Sequence, residues 1–190
     1  NENEYYLIQH YANEGDQYPG FYIVDLLTGL IKQKIIPKFK NKINKNVFNE
    51  LGSISEVTSF ERDHIQYLLI SYLEPIDVYN YLPLMDLYNK TEDKWIFTNK
   101  NISSVEKTSN PDLSYIVNDY LYHSIGYTIT CHNIWTGDSL WSREFKGGFL
   151  FGGYIYDNGT LYCAAETDGY YALDAETGDI KWKGERSPGT

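Results

Sequence analysis

The residues with the widest chemical reach in this sequence are its four histidines, His10, His64, His123 and His132, and its two cysteines, Cys131 and Cys163. A metal centre built from them would need short ligand spacings such as His-x-x-x-His or Cys-x-x-Cys, and neither occurs. Cys131 and His132 are neighbours in sequence. In a strand, however, successive side chains point to opposite faces, so adjacency does not make them a nucleophile and its base. No Gly-x-Ser-x-Gly elbow and no phosphate-binding glycine loop is present. The pairs Gly147-Gly148 and Gly152-Gly153 bracket Phe149-Leu150-Phe151, and close backbone packing accounts for them better than a ligand does. The two cysteines are expected as buried thiols, a disulfide being possible only between neighbouring strands. No catalytic, metal or cofactor-binding residue is therefore assigned, and no cofactor is expected. The carboxylates Glu56, Glu61, Asp63 and Glu74 form an acidic group that could meet a basic partner, although solvated loops also explain them.

The chain has 190 residues and a formal net charge of −10. Nucleic-acid binding draws its affinity from a basic footprint, so this balance argues against it and suits a basic protein partner. One local exception runs through Lys32, Lys34, Lys38, Lys40, Lys42 and Lys45 without a carboxylate. It reads as a solvated loop or an exposed edge. No run of apolar residues is long enough to span a bilayer. Cysteine usage leaves the compartment open between the cytoplasm and, if a leader has been removed, the periplasm or exterior.

Nineteen tyrosines, eight phenylalanines and four tryptophans give an aromatic share of 16%. Aromatic side chains suit a pleated, half-buried surface. The expected class is all-β. A repeat organises it. From Gly147 to Lys183, four short strands (Phe149–Asp157, Thr160–Glu166, Tyr170–Asp174 and Asp179–Lys183) alternate with three turns ending in Gly159, Gly169 and Gly178. Glycine after a small polar residue supplies the positive φ that tight hairpins require. Four strands joined in this way make one antiparallel meander, the shape of a β-propeller blade.

The third turn of that unit, Asp174-x-x-Thr177-Gly178 followed by Trp182, recurs upstream. Asn133, Thr136, Gly137 and Trp141 repeat it, as do Asp25, Thr28 and Gly29 with Gln33 in the tryptophan place. A weaker copy runs from Asp86 to Trp95, lacks the glycine and is longer by one residue. The closing positions fall at 33, 95, 141 and 182. The last two separations approach the roughly 40–50 residues of one blade, and the first implies an insertion in the Lys/Asn-rich stretch after Pro37. Four blades follow, at about 1–36, 50–100, 112–146 and 147–186, within one propeller domain over 1–190. The first shows only three strands, and Ser187-Pro188-Gly189-Thr190 is too short to supply another. An incomplete propeller is expected, closed by further residues or another chain.

The stretch Ala172-Leu173-Asp174-Ala175-Glu176-Thr177-Gly178-Asp179-Ile180-Lys181-Trp182 resembles the PQQ-like repeat family of quinoprotein-dehydrogenase-like propellers. The resemblance implies that the closing tryptophan docks between blades, so Trp182 is expected to be buried. That family includes quinone-dependent dehydrogenases, a lipoprotein that assists outer-membrane assembly, and binding propellers without a cofactor. The dehydrogenases carry a vicinal cysteine pair, absent here, so the resemblance points to a non-enzymatic member. A fold does not decide a function. The expected function is a non-catalytic scaffold for protein–protein interaction, one version being an immunity-type inhibitor of a basic toxin. The alternatives are an exported propeller of the outer-membrane-assembly type and a ligand-binding or enzymatic propeller with a central pocket.

Overall fold

A computed structural model describes residues 4–9, 20–39, 54–76, 81–102, 112–148, 153–166 and 168–185. His10, most of the Lys/Asn-rich stretch, Gly152, Thr167 and Ser187-Pro188-Gly189-Thr190 lie outside them. The described residues form strands and turns in two compact units, Asn1–Lys107 and Thr108–Thr190.

The first unit opens with an antiparallel sheet of three strands, β1 (Glu4–Gln9), β2 (Gly20–Asp25) and β3 (Ile31–Ile35), in the order β1-β2-β3. A four-stranded meander follows: β4 (Ile54–Arg62), β5 (Ile65–Pro75), β6 (Tyr81–Asn89) and β7 (Lys94–Asn101). Alternation along the strands builds the core. Phe21 and Ile23 of β2, and Leu68, Ile70 and Tyr72 of β5, point to one side and bury together with Ile35, Ile54, Leu84 and Tyr88. Full burial of such a side chain contributes about 1.5–3 kcal/mol.

The second unit holds two further four-stranded meanders. One comprises β8 (Asp112–Val117), β9 (Tyr120–Ile125), β10 (Thr128–Asn133) and β11 (Ser139–Glu144). The other comprises β12 (Ile155–Asp157), β13 (Thr160–Ala165), β14 (Gly169–Asp174) and β15 (Ile180–Gly184). Their shared core contains Tyr122, Ile129, Cys131, Phe145, Leu161, Cys163, Tyr171 and Leu173. Four antiparallel sheets, the first with three strands among the described residues, are the all-β arrangement of an incomplete β-propeller. The strand expected over Phe149–Asp157 is shorter: among the described residues it spans Ile155–Asp157, and 149–152 lie outside.

Strand register realigns one copy of the repeat. Cys131 pairs with Trp141, Ala172 with Trp182 and Ile23 with Gln33, each beside an irregularity in the ladder. In the second sheet the equivalent partners are Leu87 and Phe97, whereas Trp95 faces Tyr88. Phe97, not Trp95, therefore closes that copy. Asn89 rather than Asp86 leads its turn, because the Glu92 N–H donates to Asn89 Oδ1 at 2.9 Å. Asp93 then stands in the glycine place with a φ of 52°. Asp tolerates the left-handed region better than most residues, which hides this copy from a search for glycine.

Candidate functional site

Three turns share one hydrogen-bond plan. Asp25 Oδ1 accepts from the N–H groups of Leu27 (3.0 Å) and Thr28 (2.8 Å), and the Gly29 N–H donates to Asp25 O at 2.8 Å. Asn133 Oδ1 accepts in the same way from Trp135 and Thr136, and Asp174 Oδ1 from Glu176 and Thr177. The N–H groups of Gly137 and Gly178 close the other two turns at 2.8 Å each. A short polar side chain that bonds the backbone two and three residues ahead pre-forms the turn. Hydrogen bonds from Thr28, followed by the Lys32 ammonium, draw the Asp25 carboxyl down to about 2. Lys181 and the turn amides lower Asp174 as well.

The Asp174 turn is the receiving side of a contact between consecutive sheets. In the second unit, Trp141 Nε1 donates to Ala175 O at 3.0 Å, and Tyr122 Oη donates to the same oxygen at 3.0 Å. The indole lies flat over Gly178: a Cβ there would sit 2.6 Å from Cε3 of Trp141. Arg143 adds a bond to Asp179 Oδ1 at 2.8 Å. The first unit uses a polar version of this contact. Gln33 replaces the tryptophan and donates to Tyr88 Oη (2.9 Å) and Asp93 Oδ1 (3.3 Å), while Lys90 pairs with Glu4. A closing residue without an indole thus faces a turn without glycine, and an indole faces a glycine.

Trp182 departs from this pattern. The resemblance implies a docked, buried side chain, yet Trp182 is 55% exposed and lies along its own strand over Gly184. Tyr162 (41%), Tyr170 (52%), Ile155 (67%) and Ile180 (45%) are exposed on the same sheet. Ile155, Tyr162, Ala172 and Trp182 stand opposite one another across its four strands. Ile155, Tyr162 and Trp182 line an apolar depression of about 400 Å³ together with Cys163 and Tyr170. β11 and β15 are both edge strands, but among the described residues only β11 is followed by a further sheet.

Cys131, Cys163, His123 and His132 are shut away, whereas His64 is exposed at the β4–β5 hairpin. Cys131 and Cys163 are free thiols in the core, and burial pushes both up to about 12. Cys131 Sγ approaches the carbonyl of His132 and the Tyr122 hydroxyl. His123 and His132, on β9 and β10, are 2% and 1% exposed with Nε2 atoms 2.9 Å apart. His132 Nδ1 lies 3.2 Å from Gly137 O; if its proton is donated there, Nε2 is left to accept from His123. This pairing ties two strands to the Gly137 turn and was not foreseen from sequence, because the two residues meet only through strand pairing. Asp86 was also missed as a buried group. It is fully buried and accepts from Lys38 N–H (2.8 Å), Asn99 N–H (2.7 Å) and Tyr72 Oη (3.0 Å). Burial raises its carboxyl above the usual range against the pull of those donors.

The acidic group does not assemble as a surface. Glu74 is 2% exposed and unavailable to a partner. Glu61 and Asp63 are exposed at the β4–β5 hairpin, and Glu56 accepts a hydrogen bond from Thr58. A groove of about 580 Å³ in the second unit includes Phe145, Lys146, Asp168, Tyr171 and Lys183. Within it, Lys183 and Tyr171 both donate to the Asp168 carboxylate and lower it. Among the described residues, no three His, Cys, Asp or Glu side chains gather as metal ligands, and no helix is long and apolar enough to cross a membrane.

No protein-family model matches the sequence, and no curated protein resembles it in sequence. Among solved structures, the chain is similar to BamB from Moraxella catarrhalis, with a TM-score of 0.62 and 13% identity over 98% of this chain and 48% of that one. It also resembles the computationally designed Ika4 protein, with a TM-score of 0.49 and 10% identity over 88% and 91% of the two chains. The chain therefore spans about half the length of the BamB chain, and that likeness shows its fold to be that of an all-β protein of propeller blades.

Proposed function

We propose that the protein is a non-catalytic β-propeller scaffold that holds another protein. The observation carrying this reading is the outward face of β12–β15, where Ile155, Tyr162, Tyr170 and Trp182 stay exposed around one apolar depression. Exposed aromatic side chains gathered in one patch are characteristic of protein-binding surfaces, where Trp and Tyr supply most of the binding energy. Cys131, His123 and His132 point the same way, because each of them is 2% exposed or less. The net charge of −10 suits a basic partner, as an immunity-type inhibitor would need. The burial of Glu74 weakens that version, and the apolar face is the better-supported surface.

Trp182→Ala tests the reading, since an exposed side chain can be removed without disturbing the core. Chemical cross-linking of the protein in its native extract should trap a partner through the face of β12–β15, and the variant should lose it. Retention of every cross-linked partner by the variant would exclude this face. The fold likeness to BamB favours, as a second reading, a propeller of the outer-membrane-assembly type. Fractionation of the natural protein with the outer membrane would support that reading, and recovery in the cytosol would remove it.

A further inference from the structure

We propose that residues 36–39, which follow β3 and lie against the second sheet, form a strap whose release is coupled to ionisation of Asp86. The strap is closed over the neutral carboxyl and loosens as the carboxyl gains its charge. This device lies within the first unit and involves no residue of the β12–β15 face.

Three contacts fasten the strap. The Lys38 N–H donates to Asp86 Oδ2 at 2.8 Å. The Phe39 ring stands edge-on to Tyr72, with centroids 4.8 Å apart. The Lys38 ammonium lies over the Trp95 ring, 5.5 Å from its centroid. Within the strap, the Phe39 N–H donates back to Pro37 O at 2.9 Å, a tight turn that keeps these residues compact. The other two donors to Asp86, Asn99 N–H and Tyr72 Oη, belong to strands held in the ladder of the second sheet. Residues 36–39 form no strand, so the strap is the cover of Asp86 that opens at least cost.

The charges around Asp86 favour its neutral form. Its three hydrogen-bond donors, two amides and a hydroxyl, are all uncharged. Lys38 acts on it through charge at a distance, as the smallest of its influences, because the ammonium sits on Trp95. Glu74, on β5 beside Tyr72, brings a second buried carboxyl. Burial, then the charges of Asp86 and Glu74, push the Tyr72 hydroxyl up, so it stays a donor. On β6, the Tyr88 hydroxyl is taken up by Gln33 and Asp93, and β2, β3 and β4 present apolar side chains to this core. A buried carboxylate with neutral donors alone recovers hydration by being uncovered. Release of the strap uncovers it and frees the Tyr72 and Trp95 rings.

The second unit holds the same aromatic contact without this tension. Phe145 stands edge-on to Tyr171 with centroids 4.8 Å apart, and Tyr171 also donates to a carboxylate, that of Asp168. There Lys183 pairs with the carboxylate at 2.7 Å and holds it below the usual range. Asp86 has burial in place of the lysine, and its carboxyl is raised. Closure of the strap is therefore complete below the ordinary 3.8 and weakens as pH rises through the folded value of Asp86.

Amide hydrogen exchange of the full chain, resolved by NMR from about pH 4 to 8, tests the coupling. The protection factor of the Lys38 amide, corrected for the intrinsic effect of pH, should fall by up to about tenfold per pH unit until Asp86 is ionised. Low urea should leave it unchanged, because a local opening exposes little surface, while protection of the β5 and β6 amides falls. Asp86→Asn should remove the pH dependence. Tyr72→Phe keeps a ring under Phe39 but takes a donor from the charged carboxylate, and should lower Lys38 protection roughly tenfold or more at about pH 7. A Lys38 amide indifferent to pH, one that loses protection in urea together with β5 and β6, or a pH dependence that survives Asp86→Asn would each overturn the proposal. Should Asp86→Asn fail to fold, unchanged Lys38 protection in Tyr72→Phe overturns it equally.

Discussion

The indole of Trp141 occupies the space above Gly178 that any other residue would fill with a side chain: a Cβ at Gly178 would lie 2.6 Å from the ring. The glycine is required twice, once for its φ of 73° and once for this approach. Gly159 needs only the first, because it has a φ of 74° and, among the described residues, nothing lies within 4 Å of a Cβ there. Gly159→Ala should cost about 1–2 kcal/mol, the usual strain of a left-handed alanine. Gly178→Ala should cost that plus about 1–3 kcal/mol for overpacking. Thermal unfolding of the two variants gives the comparison, and equal shifts would mean that the indole moves aside freely.

Trp141 and Trp182 hold the same place in their sheets but should respond differently to truncation. Trp141→Ala removes a half-buried ring and its hydrogen bond to Ala175, and should cost about 3 kcal/mol or more in unfolding free energy. Trp182→Ala should stay within about 1 kcal/mol, since the ring is already 55% exposed. Chemical denaturation with fluorescence detection separates the two.

Asp86→Ala should be among the most damaging substitutions in the first unit. It strands the N–H groups of Lys38 and Asn99 and the Tyr72 hydroxyl, three donors that now share one carboxylate. Buried donors left without acceptors cost about 1–3 kcal/mol each, so a loss of about 3 kcal/mol or more is expected. Because burial raises the Asp86 carboxyl, its contribution has the opposite pH sign to that of the turn aspartates. Stability from this group is greatest when it is protonated and declines as pH rises through its folded value.

Asp25 titrates in the opposite sense. Its folded value of about 2 lies below the ordinary 3.8, so its stabilising contribution is present above about pH 4 and is lost as pH falls towards 2. Asp25→Asn keeps the Oδ1 acceptor of the turn and removes the titration, as Asn133 already does in the third sheet. The slope of stability against pH between about 4 and 2 should therefore be shallower in the variant. An unchanged slope would show that the turn does not discriminate between the two side chains.

Cys131 and Cys163 should resist alkylation at pH 8 in the folded protein. Both thiols are buried and pushed up to about 12, so the reactive thiolate is scarce and out of reach. Labelling followed by mass spectrometry should find both cysteines unmodified until denaturant is added.

The amino-acid sequence alone determines the strands, the tight turns and the repeat that orders them. An Asp or Asn bonding amides two and three residues ahead, with a glycine closing the turn, is complete within five residues, and so Asp25, Asn133 and Asp174 announce their turns directly. The copy led by Asn89 was harder to read because Asp93 takes the positive φ without being a glycine. Its closing residue, Phe97, is identified only by pairing with Leu87. Burial is not a local property. Trp141 and Trp182 share one sequence pattern, yet one is docked and the other open, because only the sheet that follows can cover a closing residue. The same dependence on tertiary structure brings His123 to His132, sinks Glu74 beneath the surface and surrounds Asp86 with three donors. Turn chemistry is decided within a few residues of chain, whereas the face that remains free to bind is decided by which sheet lies beside it.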